Sequence, residues 1–175
     1  MEKGEWKMTI HLEVINEENW EECLNLKVSD EQSEYLPSNA YSIAESKFND
    51  KIKLLGIYKD TIMVGFAAYI LDEEGDMNLY KFMIGKQYQA KGYGKEALKH
   101  LMDIIVKKTL NREVWLSLHP NNAVAIKLYC NYGFKRQIIG LEADDEIFFK
   151  YDILIWNLFN SNISKIIRRG VARSW

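Results

Sequence analysis

The stretch from Lys81 to Lys108 admits few architectures. Lys81-Phe-Met-Ile84 reads as the end of a buried strand, Lys86 to Lys91 as polar loop, and Gly94 to about Lys108 as a helix with Ala97, Leu98, Leu101 and Ile105 on one face. Gly92 and Gly94 stand at the joint, where two missing Cβ atoms let the backbone turn tightly and approach a bulky ligand. Free N–H groups at a helix start, with the positive end of the dipole, make an anion site fit for a pyrophosphate; Lys91 and Lys95 add charge there. A glycine-containing helix entry with no ligand is the plainer alternative. The loop lacks the Gly-Lys-Ser/Thr ending of a Walker A loop and the third glycine of a Rossmann fingerprint.

A second cluster follows, Asn122-Ala-Val-Ala-Ile-Lys-Leu-Tyr129, running into Gly133-Phe134. It sets an amide and a phenol at helical spacing. Around these two clusters the chain reads β-α-α-β-β-β-α-β-α-β-β. Thr9 to Ile15 is a strand, with Asn16 capping a helix from Glu17 to Lys27, and a second helix runs from Asn39 to Phe48. Lys53–Tyr58 and Met63–Leu71 form a hairpin across Lys59-Asp60, Asp72–Asp76 is a turn, and Met77–Ile84 is the strand before the glycine loop. Glu113–Leu118 is a strand, and Asn121 or Asn122 caps the helix that reaches Tyr132. Lys135–Gly140 and Glu146–Ile153 close the fold as a hairpin over Glu142–Asp145. The expected fold class is α/β: one domain, 1–153, with a central mixed, mostly antiparallel sheet and about four helices, followed by an extension, 154–175.

The length of 175 residues suits one domain with a sizeable core. No apolar run approaches twenty residues and the N-terminus is polar, so the cytoplasm is the expected location and a membrane is not an expected partner. Cys23 and Cys130 are read as reduced core thiols rather than a disulfide. His11, His100 and His119 are scattered without a metal spacing, and no metal is implied.

Gln89-x-x-Gly92-x-Gly94 resembles the acetyl-CoA motif, (Arg/Gln)-x-x-Gly-x-(Gly/Ala), of the GNAT family of N-acetyltransferases, and Asn122-x-x-Ala125-x-x-x-Tyr129 with Gly133-Phe134 resembles the second half of that family's cofactor site. The resemblance runs from about Ile10 to Ile153. Within the family, Leu26–Gln32, Ser38–Ile43 and Lys81–Ile84 are similar to the bacterial spermine/spermidine acetyltransferases. The resemblance implies a transferase that takes an acetyl group from acetyl-CoA, with Phe82, Met83, Ile84, Gln89, Ala90, Lys91, Gly92, Tyr93, Gly94, Lys95 and Asn122 as cofactor-binding residues. It also implies a bulge that splays the strand before the glycine loop and opens a slot for pantetheine.

Acetyl transfer needs a polarised thioester carbonyl, a neutral amine and a proton for the departing thiolate. Backbone N–H groups near Met83 and Ile84 suit the first as an oxyanion hole. Tyr129 is the candidate catalytic acid, since a phenol of ordinary pKa about 10 can protonate a thiolate of about 8.5. A tyrosine that only packs its ring under the sheet is the alternative. Asn122 either binds the pantetheine arm or only caps its helix. Many relatives carry a Glu on the strand before the loop, but Met77–Ile84 has none, so deprotonation is assigned to water ordered by Tyr80 or by the Glu113 end of the next strand. Ala90 stands where relatives often have Gly, and its methyl is tolerable at negative φ.

Charge points to the acceptor. The chain's net charge is −2, and the tail holds Lys165, Arg168, Arg169 and Arg173 with no acid; subtracting those four leaves residues 1–153 at −6. An acidic body suits a polycationic substrate such as a polyamine and argues against nucleic acid as a partner. Glu31, Glu34 and Tyr35 in the first interhelical loop, Tyr80, and Glu142, Asp144 and Asp145 in the last hairpin are the candidate acceptor contacts; solvated loops explain the same charges. The apolar and basic tail could pack on the body, bridge a homodimer or touch an acidic surface. A peptide or other small-amine N-acetyltransferase and a non-catalytic CoA sensor remain alternatives.

Overall fold

The computed structural model describes residues 9–71, 75, 77–108, 113–140 and 145–153. Seven strands form one sheet: β1 (Ile10–Val14), β2 (Ile52–Lys59), β3 (Ile62–Leu71), β4 (Met77–Ile84), β5 (Glu113–Leu118), β6 (Lys135–Gln137) and β7 (Ile147–Asp152), in the order β1-β2-β3-β4-β5-β7-β6. All neighbours are antiparallel except β4 and β5. The helices are α1 (Trp20–Asn25), α2 (Asp30–Ser33), α3 (Asn39–Ser46), α4 (Tyr93–Lys108) and α5 (Ala123–Tyr132), with a 3-10 turn at Lys86–Tyr88.

β3 shows why the sheet is central. Met63 to Tyr69 are buried without a break, since helices cover both faces. On one face α4 buries Ala97, Leu98, Leu101, Met102 and Ile105, each fully enclosed. Four of these are large, and each contributes about 1.5–3 kcal/mol when taken out of water. On the other face α1 and α3 lay Cys23, Leu26 and Ile43 against Leu54, Phe66 and Met83.

The expected element order holds with one addition. β4 and β5 fall on their predicted residues, and α5 is capped by Asn122. The loop expected between the first two helices contains α2, whose Ser29 and Gln32 form a capping box. Asn16 does not cap α1: its Oδ1 holds the Glu18 amide in a turn, and the helix starts only at Trp20, with Asn19 at the cap position. Cys23 is buried, and burial pushes its thiol up to about 12. Cys130 is exposed, contrary to the core role expected of it, because the next helical position after buried Tyr129 turns toward solvent. The Asp72–Asp76 turn (except Gly75) and the extension 154–175 lie outside the described residues. No helix among the described residues is long and apolar enough to cross a membrane.

Candidate active site

One extra residue in β4 creates the site. Ala68 pairs with Lys81 but Tyr69 pairs with Leu79, which leaves Tyr80 as a β-bulge. Before it, Met77 and Leu79 face the α4 core; after it, Phe82 and Ile84 do, while Tyr80 and Met83 face the α1–α3 side. The bulge also turns β4 away from β5. The two pair only at Met77–Val114 and Asn78–Trp115, although β5 stays with β7 as far as Leu118–Ile147. From Leu79 to Ile84 the β4 edge facing β5 therefore has no strand partner among the described residues.

The gap is a cleft of about 350 Å³. Phe82, Met83 and Ile84 form one wall, Gln89, Ala90, Tyr93 and Gly94 the floor, and Asn122 and Tyr129 the α5 wall. Lys91, Gly92 and Lys95 stand exposed beside it. A larger hollow, about 680 Å³ near Val14 and Trp20, contains none of the predicted residues.

The floor has the chemistry of an anion cradle. Glu96 donates back to the Gly92 carbonyl as α4 begins, and the amides of Tyr93, Gly94 and Lys95 find no backbone acceptor among the described residues. Gly92 has φ 84. A Cβ on Gly94 would meet only ordinary contacts, 3.6 Å from Ile84 Cγ1 and 4.0 Å from Leu128 Cδ2, so packing alone does not demand the glycine. Its missing side chain keeps the floor open. Ala90 does not meet the condition of a negative φ under which its methyl is tolerable: it sits at φ 60, the left-handed region that costs an alanine about 1–2 kcal/mol. The Gln89 side chain anchors this strained loop, donating from Nε2 to the Ile84 carbonyl at 2.8 Å and to Gln32 Oε1 at 2.9 Å.

On the α5 wall, Asn122 Oδ1 accepts from the Ala125 amide at 3.2 Å. It caps the helix and lines the cleft at once, its Nδ2 hydrogens left over. Tyr129 is 4% exposed, its ring edge-on to Phe82 at 6.5 Å and to Phe134 at 5.4 Å. Burial raises its phenol above the ordinary range, so it stays protonated near neutral pH and keeps a proton to give. Unpartnered backbone amides and a protonated phenol beside an apolar slot suit a carbonyl gaining negative charge and a leaving group needing a proton. No carboxylate among the described residues lines this cleft.

The predicted acceptor contacts are more scattered. Tyr35 stacks on His119 at 4.9 Å, spanning from the end of α2 to the loop after β5, and the Asn121 amide steadies that ring at 3.1 Å from Nδ1. Glu31 and Glu34 are exposed next to it. The Tyr80 hydroxyl donates to the Glu45 carboxylate of α3, and burial, then that carboxylate, raise its phenol. Glu113 cannot order water here: it starts β5, five residues from the cleft end, about 17 Å along the strand, where it pairs with Lys150 at 2.7 Å. Glu142 and Asp144 lie outside the described residues, and Asp145 is exposed. Gln32 was missed as a site residue. The Ser29-x-x-Gln32 capping signature marks its helix, but its bond to Gln89 bridges 57 positions and leaves no local trace.

A model of the Acetyltransferase (GNAT) family matches residues 16–134. The chain is 33% identical over 135 residues to the spermine/spermidine N(1)-acetyltransferase of Bacillus subtilis (strain 168), covering 73% of this chain and 89% of that protein. It is 34% identical over 79 residues to the [ribosomal protein bS18]-alanine N-acetyltransferase of Escherichia coli (strain K12), covering 44% and 51%. In fold it is similar to spermidine N-acetyltransferase from Vibrio cholerae, solved in complex with CoA and spermine: TM-score 0.66, 14% identity, 82% of this chain and 95% of that one.

Proposed function

The chain belongs to the GNAT family of acetyltransferases, whose acyl donor is acetyl-CoA, and from that premise we propose that it acetylates a primary amine of a small polyamine, spermidine and spermine first among acceptors. The observation that carries the reading is the split between β4 and β5, with a helix N-terminus under it and a protonated phenol at its side.

Acetyl-CoA supplies an activated carbonyl on a thiolate leaving group. In this reading the amides at the start of α4 hold its pyrophosphate, with Lys91 and Lys95 beside them. Asn122 Nδ2 and the free edge of β4 hold the pantetheine arm, and an amide near Met83 or Ile84 draws charge from the carbonyl oxygen. The acceptor nitrogen attacks as a neutral amine. Its C–N bond forms as the C–S bond breaks, Tyr129 gives its proton to the sulfur, and the amine's surplus proton leaves to water, from which the Tyr129 phenolate is reprotonated. The segment from Ser29 to Asn39 closes over the acceptor side, fastened by Gln32 to Gln89, Tyr35 to His119 and Lys81 to the Pro37 carbonyl. A closed side supports a small acceptor over a protein chain. The similarity to the bS18 enzyme keeps a peptide α-amine as the second reading.

The test is thiol release from acetyl-CoA with spermine, spermidine, a lysine peptide and buffer alone. Turnover confined to the polyamines upholds the proposal, and turnover only with the peptide replaces it with the second reading.

A further inference from the structure

Lys81 has no part in the chemistry above, yet its surroundings are unusual. It is 5% exposed and follows the bulged Tyr80, which places it on the α1–α3 face. Its Nζ donates to the Pro37 carbonyl and, at 3.3 Å, to Ser42 Oγ, with the Phe66 ring centroid 5.5 Å away. No carboxylate lies within ion-pair distance among the described residues. Burial, partly opposed by Cys23, lowers its ammonium from 10.5 to about 8, so the charge is present at neutral pH but held only by neutral partners. A charge of that kind weakens a fold relative to an apolar side chain of the same length.

Lys81 lines a cavity of about 360 Å³ under the Ser29–Asn39 segment, and this cavity shares Val28, Leu36 and Met83 with the cleft between β4 and β5. The two spaces meet at Met83, two residues from Lys81 and roughly 7 Å along the strand. Asp30 belongs to the same wall, and Glu31 and Glu34 stand exposed on or next to the same helix.

Resting on the reading of these two spaces as acceptor and thioester sites, we propose that Lys81 is a specificity-determining residue: its ammonium keeps a second positive charge off the cavity floor, so the acceptor nitrogen enters as the uncharged amine and a polyamine's remaining charge stays at the rim with Asp30, Glu31 and Glu34. Two unit charges about 7 Å apart at an effective dielectric of about 20 lower the acceptor's pKa by about one to two units. The burial that takes Lys81 from 10.5 to about 8 acts equally on an amine seated beside it, so the two effects together bring an acceptor of ordinary pKa about 10 below 7. Such a charge supplies, by repulsion, part of what a strand carboxylate would supply by accepting the proton. Among the described residues, the titratable and charged groups near Lys81 are Cys23 of α1, Lys27 and Asp30 of the cavity wall, and the preceding Tyr80, whose hydroxyl is engaged by Glu45 of α3. The Cys23 thiol and the Tyr80 phenol, both raised by burial, keep their protons in this range.

Calorimetry tests this in the full chain loaded with CoA, titrated with spermidine at pH 7 in two buffers of different ionisation heat. About one proton should leave per acceptor bound, because the free amine, with a pKa of about 10, must shed it to enter. Lys81→Met should release at most about half as many and shift the alkaline rise of kcat, which reports the bound acceptor, up by about one to two pH units, while Lys81→Arg, which keeps the charge, should match the wild type. Equal proton release in wild type and Lys81→Met overturns the assignment. Release below about half a proton by the wild type overturns it too, and decides the question even if Lys81→Met fails to fold. If spermidine does not bind but butylamine or a peptide amine does, the polyamine reading fails and the same proton count with that amine judges Lys81 separately. No binding by any amine overturns both.

Discussion

The two spaces that meet at Met83 are built from different materials. The cleft between β4 and β5 is made by backbone: a bulge, a capped helix and a helix start with free amides, each set by neighbouring residues. The cavity on the other side is made by side chains that reach across the chain. Lys81 meets the Pro37 carbonyl 44 positions away, and Asn39 Nδ2 donates to the Cys23 carbonyl 16 positions away at 2.9 Å. The difference separates two properties. A donor site of backbone survives most single substitutions, whereas an acceptor site of long-range contacts can be re-specified by one.

The sharpest test of the backbone side is its one reactive side chain. Tyr129→Phe keeps the ring against Phe82 and Phe134 and should lower kcat by about 10²-fold with little change in acetyl-CoA binding, measured by thiol release and by titration. The side-chain half is tested through stability. The folded pKa of Lys81, about 8, lies below its unfolded value, so its charge costs stability below pH 8, and the cost fades as pH rises toward 10.5. Lys81→Met should therefore be more stable than wild type by about 2 kcal/mol at pH 7, with the gap closing by about pH 10.5, in denaturant titrations at both pH values. A gap that widens with pH would contradict this.

Gly94→Val asks whether the floor is kept clear for a ligand. Its Cβ fits the fold, but its branches enter the cleft; acetyl-CoA should bind on the order of 30-fold more weakly, about 2 kcal/mol, with the melting temperature nearly unchanged. A similar loss of affinity and of stability would mean that the glycine serves packing after all. The smallest effect is expected at Ala90. Relieving its positive φ with Ala90→Gly, less the added freedom of the unfolded chain, should gain about 0.5 kcal/mol and raise the melting temperature by about 1–2 °C.

What was legible in the sequence follows the same division. The β4–loop–α4 unit, the strand at Glu113–Leu118 and the Asn122 cap were readable because periodicity, glycines and caps act over a few residues. Helix α2 left a legible mark too, Ser29-x-x-Gln32, in a stretch otherwise polar enough to pass for loop. The φ of Ala90 was not legible, since alanine normally avoids that region and only the Gln89 anchors hold it there. Nor was the engagement of Tyr80 by Glu45, which depends on how α3 crosses a bulged strand. Residue types on β4 suggested Tyr80 for ordering water; the fold gave its hydroxyl to a helix instead.

The bulge at Tyr80 has a further consequence. β4 carries two reading frames joined at one position: counted from Met77, odd residues face α4, and counted back from Ile84, even residues do. Deleting that single residue would merge the two frames into one without moving any neighbour to the other face. Leu79, Phe82 and Ile84 would stay toward α4 and Lys81 and Met83 toward α1 and α3, with Ala68 still opposite Lys81 and Tyr69 still opposite Leu79. The surplus residue thus matters to the edge of the strand and not to its faces: without it β4 would run on straight beside β5, every side chain keeping its side while the slot between the two strands lost its opening.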